Sequence, residues 1–358
     1  MSEESEQTTN PAESLLTEAN RLLEQRDLAA AMRAFDRAEA AGADADECAG
    51  GRWLVSMLRG NYEWAWRESD AIRRRGAWDP HRYWNGEPLR DKRVIVRCLH
   101  GYGDMVQGMR YAAASRELAA EMIWEVPPRM AELARYFAGV DRVMDWNAPP
   151  ARAEWDVQVE VTELPYIFRT QVTDLPIAKH YLTLPESVLA EFEVVSSELP
   201  RIGLVWAAGD WDQTRSVPLD LLRPLVDRED CRFWNLQGGA AREGGQACLA
   251  GVGGCGEGCV ALAATIAQMD LVITVDTFAA HLAGALGVSA WVMLQHAADW
   301  RWLARSESSP WYPSLRLFRQ PAPGDWPAVT EQVGQALHQW RRVYDGAQTA
   351  EKSTVSAA

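Results

Sequence analysis

The stretch DLVITVDTFAAHLAGALG, residues 270–287, constrains the fold more than any other part of the chain. Its residues 271–275 are apolar except for Thr274 and mostly β-branched, a run typical of a strand that is buried on both faces of a parallel sheet. Alanines and leucines then recur at helical spacing, with Thr277 at the expected N-cap and Gly287 at the expected C-cap. The stretch therefore predicts a strand, a tight turn and a helix, the repeating unit of an open α/β sheet.

The beginning of this helix carries three polar side chains, Asp276, Thr277 and His281. Ligands of open α/β sheets bind at the carboxyl ends of the strands, where a helix N-terminus offers free N–H groups to an anion. We therefore expect an anion site at this turn. The alternative is that Asp276 and Thr277 only cap the helix and that His281 packs in the interior.

A second turn of the same kind lies in RVIVRCLHGYGDMVQGMRY, residues 93–111. Residues 94–96 have the pattern of another buried strand, Gly101 and Gly103 form a loop that lets backbone approach a ligand closely, and Asp104 begins a helix. Because the two turns belong to separate βα runs, we predict an α/β fold with two parallel sheets that face each other across a cleft.

The first part of the chain, residues 12–78, is predicted to be helical and repeats with a period of 34 residues. Ala31 recurs as Ala65 and Phe35 as Ser69, at positions where paired antiparallel helices touch in tetratricopeptide units. Two such units are fewer than a free-standing solenoid usually needs, so we expect them to lean on the domain that follows. An unrelated pair of helical hairpins is the alternative.

The other boundaries follow from composition and from the alternation of strands and helices. Polar, small-residue tails at 1–11 and 346–358 are expected to be disordered. One Rossmann-like domain is predicted at 88–190, a second at 199–325, and a closing helix at 326–345. Further strands are predicted at 122–126, 142–144, 155–159, 202–206, 232–236 and 290–294, and further helices at 128–137, 219–226 and 262–269.

Composition argues against nucleic-acid and membrane-spanning proteins. The formal net charge of −14 leaves no basic stripe to neutralise phosphates. No stretch approaches the roughly 18 apolar residues of a membrane span, and the start MSEESEQTTNPAES lacks the apolar region of a signal peptide. We therefore expect a cytoplasmic protein without a transmembrane segment or a nucleic-acid partner.

Three cysteines, Cys248, Cys255 and Cys259, cluster in a glycine-rich loop. Their spacing matches no known zinc pattern, and the sequence offers no obvious fourth ligand. Free thiols are the default in a cytosolic protein, so we favour thiols without a metal or redox role.

Four stretches of the chain together resemble a known family. GEPLRDKRVIVRCLHGYGDMVQGMRY, RSVPLDLL, DLVITVDTFAAHLAGALG and ADWRWLARSESSPWYPSLRLFRQ are similar, in order and spacing, to bacterial tetratricopeptide proteins whose C-terminal part is similar to ADP-heptose glycosyltransferases of family 9. The resemblance covers most of the chain from about residue 53. It implies the GT-B fold, in which two Rossmann-like domains take the donor in the second domain and the acceptor from the first.

The resemblance also implies which residues bind the donor. These are Arg215, Asp276, Thr277, Phe278, Ala279 and His281. The threonine hydroxyl and the N–H groups at the helix start suit phosphate oxygens, and the arginine would offset charge that develops on the leaving diphosphate. Because no D-x-D pair stands where a metal would bridge a diphosphate, we expect no metal and no cofactor beyond the nucleotide-sugar substrate.

On the acceptor side, the resemblance implies that Asp104 removes the proton from an acceptor hydroxyl, which would invert the anomeric centre. The related proteins commonly carry Gln-Gly-Leu-Gly-Asp where this chain has HGYGD. His100 therefore either assists the base or is a structural histidine at a strand end. The expected acceptor loop consists of Gly101, Tyr102, Gly103 and Gln107.

The function predicted from these features is an inverting, metal-independent glycosyltransferase that moves a sugar from a nucleotide-diphosphate donor to a hydroxyl acceptor. The acceptor would be a protein or a glycan or lipid precursor, docked by the tetratricopeptide-like helices. Two alternatives remain open, a non-catalytic scaffold that keeps the GT-B shell and a nucleotide-sugar epimerase or hydrolase.

Overall fold

The computed structural model describes residues 10–76, 84, 86–147, 155–173, 175, 180–209, 212–239, 241, 253–254 and 256–356. The chain divides into two compact units. The first comprises Met1–Thr183 together with Ala297–Pro313, and the second comprises Leu184–His296 together with Ser314–Ala358. The segment Ala297–Pro313 therefore belongs to the first unit, although the chain on both sides of it belongs to the second.

The helical region predicted for residues 12–78 consists of four helices, each of which packs against the next along the chain. They are α1 (Pro11–Glu24), α2 (Leu28–Ala40), α3 (Ala45–Leu58) and α4 (Tyr62–Arg75). The start of α3 at Ala45 lies 34 residues after the start of α1 at Pro11, as the repeat predicts. A core of small and apolar side chains holds these helices together, with Phe35 and Ala31 fully buried. The helices fit a tetratricopeptide-like segment.

The first unit also contains a four-stranded parallel sheet in the order β3-β2-β1-β4. Its strands are β1 (Arg93–Arg97), β2 (Glu121–Val126), β3 (Arg142–Asp145) and β4 (Val157–Glu160). Its helices are α5 (Tyr102–Gly108), α6 (Ala112–Leu118), α7 (Ala131–Ala134) and α8 (Leu164–Ile167), with 3₁₀ turns at Met109–Tyr111, Pro128–Met130 and Val161–Glu163. Strands β2 and β3 follow in order on one side of β1, whereas β4 pairs with the other side of β1. The strand order therefore reverses between β1 and β4.

The second unit contains a six-stranded parallel sheet in the order β10-β9-β8-β5-β6-β7. Its strands are β5 (Arg201–Val205), β6 (Arg232–Asn235), β7 (Gly253–Gly254), β8 (Leu271–Val275), β9 (Ala290–Leu294) and β10 (Leu315–Arg319). Its helices are α9 (Glu186–Glu191), α10 (Arg223–Val226), α11 (Cys259–Ala267), α12 (Phe278–Leu286) and α13 (Trp326–Ser356), with 3₁₀ turns at Gln213–Arg215 and Leu219–Leu222. Read from the β7 edge, this is the common Rossmann order 3-2-1-4-5-6, whose reversal lies between β5 and β8. The predicted α/β fold with two parallel sheets is confirmed.

Several elements differ from the predicted ones in length. The helix expected at 219–226 is a 3₁₀ turn followed by the short α10, because Pro224 removes a backbone donor within it. The helix expected at 128–137 ends at Ala134, after which Phe137 pairs with Leu182 in an isolated bridge. Strand β10 was not predicted, and α13 extends to Ser356, beyond the predicted boundary at 345.

The described cysteines are free thiols. Cys48, Cys98 and Cys231 are buried, and Cys259 is partly exposed. Two members of the predicted cysteine cluster, Cys248 and Cys255, lie outside the described residues. Among the described helices, none combines the length and the apolar composition that crossing a membrane requires.

Candidate functional site

The six-stranded sheet brings two predicted donor-binding elements together where its strand order reverses. Arg215 lies in the connection after β5, and Asp276 directly follows the neighbouring strand β8. The Arg215 guanidinium donates a hydrogen bond from Nη1 to the backbone carbonyl of Asp276, at 3.0 Å. Ligands of doubly wound sheets bind in the crevice at such a reversal. The arginine and the anion turn predicted from sequence thus meet at the position where this fold type binds ligands.

The connection that carries Arg215 is fixed by polar contacts on both sides. Arg215 Nε lies 3.5 Å from Asp212 Oδ2, and the arginine side chain is only 12% exposed. Asp212 Oδ2 in turn accepts a hydrogen bond from Gln295 Nε2 at 3.2 Å, directly after strand β9. These contacts restrict the guanidinium to the carboxyl edge of the sheet, so little entropy is lost if it binds an anion there.

The turn after β8 has the predicted geometry. Thr277 is the N-cap of α12 in extended backbone, and Gly287 ends the helix with φ of 75°. Within the described residues, the Thr277 side chain makes no cap hydrogen bond; its hydroxyl donates instead to the Val275 carbonyl at 3.3 Å. Asp276 and His281 are both buried. Thr277 is therefore the N-cap residue, as predicted, but its hydroxyl turns back toward the strand and does not cap the helix.

One further side chain supports the same edge and was not predicted. Gln237 follows β6 and is buried; its Oε1 accepts hydrogen bonds from Trp206 N at 3.1 Å and Ala207 N at 2.9 Å. Its Nε2 donates to the Ala207 carbonyl at 3.1 Å. These hydrogen bonds fix the backbone at Trp206 and Ala207, at the start of the connection that leads to Arg215.

In the first unit, Asp104 lies at the start of α5, close to the end of β1. Its Oδ2 accepts a hydrogen bond from the Gly101 N–H at 3.0 Å, and its Oδ1 forms an ion pair with Arg301. The Nε of Arg301 also donates to Gln107 Oε1 at 2.5 Å. The predicted loop residues Asp104, Gly101 and Gln107 are therefore brought together, and Arg301 joins them from a part of the chain to which sequence analysis had given no role.

His100 lies where the strand order of the first sheet reverses. Its Nε2 is 3.9 Å from Glu160 Oε2, at the end of the neighbouring strand β4. Glu160 is fully buried, and this burial raises the pKa of its carboxyl, although Thr162 donates hydrogen bonds to it and His100 favours the ionised form. Burial also raises the pKa of the Cys98 thiol well above its usual range, and the nearby carboxylates of Glu160, Glu125 and Asp104 raise it further. His100 thus lies beside a buried carboxylate at the edge of the first sheet.

Two residues of this edge, Arg301 and Glu160, were missed by sequence analysis. A polar residue directly after a buried strand is the signal that could have found Glu160, because Val157–Glu160 ends at the same sheet edge as β1. Arg301 offers no such signal, since it lies outside any strand. Tyr102 and Gly103 were expected in a loop before the helix, but they lie in the first turn of α5, which begins two residues before the predicted start at Asp104. No cluster of three or more potential metal ligands occurs within the described ranges.

No family model matches the sequence. A curated relative, protein FlbA of Caulobacter vibrioides, is 26% identical over 287 residues, which cover 71% of this chain and 48% of that protein. The chain therefore spans about half the length of this relative.

Two solved structures are similar in fold. A glycosyl transferase of family 9 from Veillonella parvula superposes with a TM-score of 0.54 at 12% identity, over 71% of this chain and 98% of that one. The ADP-heptose LPS heptosyltransferase II of E. coli superposes with a TM-score of 0.53 at 14% identity, over 71% and 99%. This chain therefore has the two-sheet α/β fold of the family 9 glycosyltransferases.

Proposed function

We propose that this protein is a cytoplasmic, inverting glycosyltransferase that transfers a sugar from a nucleotide-diphosphate donor to a hydroxyl acceptor, without a metal or another cofactor. The observation that carries the proposal is the hydrogen bond from Arg215 to the Asp276 carbonyl. It places a cation at the reversal point of a Rossmann-type sheet, next to the N-terminus of α12. A cation and a helix N-terminus at one place favour a diphosphate.

In this proposal the second unit binds the donor. The N–H groups of Phe278 and Ala279 at the start of α12 and the Thr277 hydroxyl contact phosphate oxygens. Arg215 stabilises the negative charge that grows on the diphosphate as it leaves, and such preorganised charge is among the largest contributions to catalysis. Asp276 and His281 complete the donor site, as the family resemblance implies.

The first unit supplies the base. Asp104 accepts the proton of the acceptor hydroxyl while that oxygen forms a bond to the anomeric carbon of the donor sugar. The bond from the anomeric carbon to the diphosphate breaks, and the nucleoside diphosphate leaves with the bonding electrons. Attack opposite to the leaving group inverts the anomeric centre. His100 assists this step from the neighbouring end of β1.

The acceptor side is consistent with a hydroxyl compound. The ion pair between Asp104 and Arg301 leaves no uncompensated cation in this cluster, because Arg301 Nη1 also donates to Asp299 Oδ1 at 2.8 Å. Acceptor-only carboxylates beside the Gln107 amide suit a polyhydroxyl group. We therefore favour a glycan or a glycosylatable protein as the acceptor, docked by α1–α4.

The proposal is tested by product analysis with nucleotide sugars in the presence and absence of candidate acceptors. A transferase releases nucleoside diphosphate only when an acceptor is present. Sugar release or epimerisation with donor alone would identify a hydrolase or an epimerase instead. If no nucleotide sugar binds at all, the chain is a scaffold that has kept the fold.

A further inference from the structure

The segment of residues 297–313, here called the return segment, carries Arg301 from the second unit's strand β9 into the first unit. Arg301 Nη2 pairs with Asp104, and its Nε donates to Gln107. Its guanidinium also stacks on the Trp300 ring, with Cζ 4.7 Å from the ring centroid. The Trp300 ring therefore packs against the same guanidinium that pairs with Asp104.

Trp300 is held by the helical region. Its ring lies edge-on to Trp53 of α3 at a centroid distance of 6.0 Å and to Tyr62 of α4 at 6.1 Å. Trp300 and Ala304 both pack against the apolar core of the helices. The Ala304 N–H also donates to the Leu58 carbonyl at 2.8 Å. The helices thus hold the chain on both sides of Arg301.

The backbone between these two anchors is strained. Leu303 has φ of 54°, in the left-handed region that residues with a Cβ rarely adopt. Such conformations persist only where the surroundings enforce them, which is commonly at functional sites. The strain occurs two residues after Arg301, where the chain turns from Trp300 to Ala304.

The far end of the return segment is anchored a second time. Arg110 is almost fully buried, and its guanidinium lies 5.0 Å from the Trp311 ring centroid and 4.9 Å from that of Tyr312. Arg110 follows α5, the helix that begins near Asp104. Cation–π contacts are stronger for buried arginines than for exposed ones, because the guanidinium is desolvated. The return segment is therefore fixed to the helical region at one end and to the α5 region at the other.

We propose that the helical region is a structural part of the acceptor site, and that α3 and α4, through Trp300, hold Arg301 as the positioning residue of Asp104. The importance of this positioning for catalysis rests on the proposed function of Asp104. The contact between Arg301 and Asp104 is independent of that function. The helices therefore do more than dock a partner, since any ligand that shifts α3 or α4 also shifts the cation on the acceptor carboxylate.

The test is hydrogen–deuterium exchange of the full chain, followed on peptides that cover residues 101–108. Trp300→Leu removes the ring between Arg301 and the helices. We expect about tenfold faster exchange of these amides, the factor that corresponds to a loss of roughly 1.4 kcal/mol of local stability. Peptides that cover residues 271–286 of the second unit should exchange as in the wild type. Unchanged exchange at 101–108 in this folded variant would overturn the proposal.

Matched variants separate positioning from general loosening. Trp64→Leu makes the same change at an exposed tryptophan of α4, 58% exposed, and should leave 101–108 unchanged. Trp53→Leu tests the contact from the helix side and decides the matter if Trp300→Leu fails to fold. Arg301→Gln should accelerate exchange at 101–108, and Arg301→Lys should restore part of the protection. An equal effect of the glutamine and the lysine would show that the cation does not position Asp104.

These measurements need no substrate, so they fail or succeed independently of the proposed function. ADP at millimolar concentration serves as the separate probe of the second unit. If ADP and every other nucleoside diphosphate of a panel leave the wild type unaffected while Trp300→Leu still loosens 101–108, the transferase proposal fails and the positioning of Arg301 stands. If ADP binds and 101–108 is unaffected, the positioning proposal fails.

Discussion

Arg215 and Asp276, 61 residues apart in the chain, are joined by a 3.0 Å hydrogen bond from the guanidinium to the backbone carbonyl. The bond spans the two neighbouring strands at which the order of the second sheet reverses. The same guanidinium also lies 3.5 Å from Asp212 Oδ2, so it is held between a main-chain carbonyl and a carboxylate. An arginine fixed in this way presents planar N–H donors to an anionic ligand at the sheet edge.

Replacing Arg215 by glutamine should weaken the binding of a nucleoside diphosphate. A charge-assisted hydrogen bond contributes about 1.5–3 kcal/mol, so we expect affinity to fall roughly tenfold to a hundredfold. Isothermal titration calorimetry measures the change. Arg223→Gln is the control, because this arginine of α10 is 53% exposed and should not affect affinity. Equal affinities of wild type and Arg215→Gln would exclude Arg215 from the site.

Replacing Asp104 by asparagine should abolish sugar transfer without unfolding the protein. Asparagine keeps the shape and the oxygen that accepts the Gly101 N–H, but it cannot accept a proton. General-base catalysis typically contributes about a hundredfold to ten-thousandfold, which is the loss expected in kcat. Asp141→Asn, an exposed carboxylate of the same unit, is the matched control. Full transfer activity in Asp104→Asn would assign the base to another residue.

Glu160 should make stability depend on pH in a defined direction. Because burial raises the pKa of its carboxyl in the folded protein, the folded state keeps a proton that the unfolded chain has lost. The free energy of unfolding therefore falls as pH rises from the ordinary glutamate pKa of about 4.3 to the raised value. Below that window the penalty is absent, and above it the penalty is complete.

Urea unfolding at a series of pH values checks this expectation. Glutamine does not titrate, so the stability of Glu160→Gln relative to the wild type should increase between about pH 4 and neutral pH. Glu132→Gln, at an exposed position of α7, should show no such trend. Parallel pH profiles of Glu160→Gln and the wild type would mean that Glu160 is not buried as described.

Much of the fold follows from local pattern. The run of residues 271–275 predicts a buried strand because β-branched, apolar side chains suit both faces of a parallel sheet, and the structure buries all five. Asp276 was predicted from its position directly after this strand, whereas Arg215 was predicted only from the family resemblance. The alternation of such units is also sufficient to predict two parallel sheets.

The acceptor side was less predictable for a physical reason. Arg301 contacts Asp104 across 197 residues of sequence, and no local periodicity encodes that contact. A glutamate at the end of a strand is usually solvent-exposed, so the sequence does not indicate that Glu160 is buried. Its strand pairs with β1, and the side chain is fully buried in the folded unit. Strand β10 carries two arginines among its five residues, and its pairing with β9 adds it to the sheet. Such long-range contacts depend on topology rather than on local sequence.

Two adjacent glycines of α3 offer a direct test of helix packing in the repeat region. A methyl group at Gly51 would lie 2.1 Å from the ring of Phe35, whereas one at Gly50 would meet no atom within 4 Å. We expect Gly51→Ala to destabilise the protein by about 1–3 kcal/mol, as overpacking does. Gly50→Ala should stabilise it by roughly 0.5–1 kcal/mol through helix propensity alone. Urea unfolding of both variants measures the difference, and equal stabilities would contradict the close approach of α2 and α3.

The central claim is that the turn after β8 binds the diphosphate of a nucleotide sugar. Thermal unfolding of the wild type against a panel of nucleosides, nucleoside monophosphates, nucleoside diphosphates and nucleotide sugars tests it most directly. A ligand at about 100 times its dissociation constant adds roughly 2.7 kcal/mol, which raises Tm measurably. The account predicts a rise with at least one diphosphate-containing ligand and little or none with the matching nucleoside. An unchanged Tm with every member of the panel would contradict it.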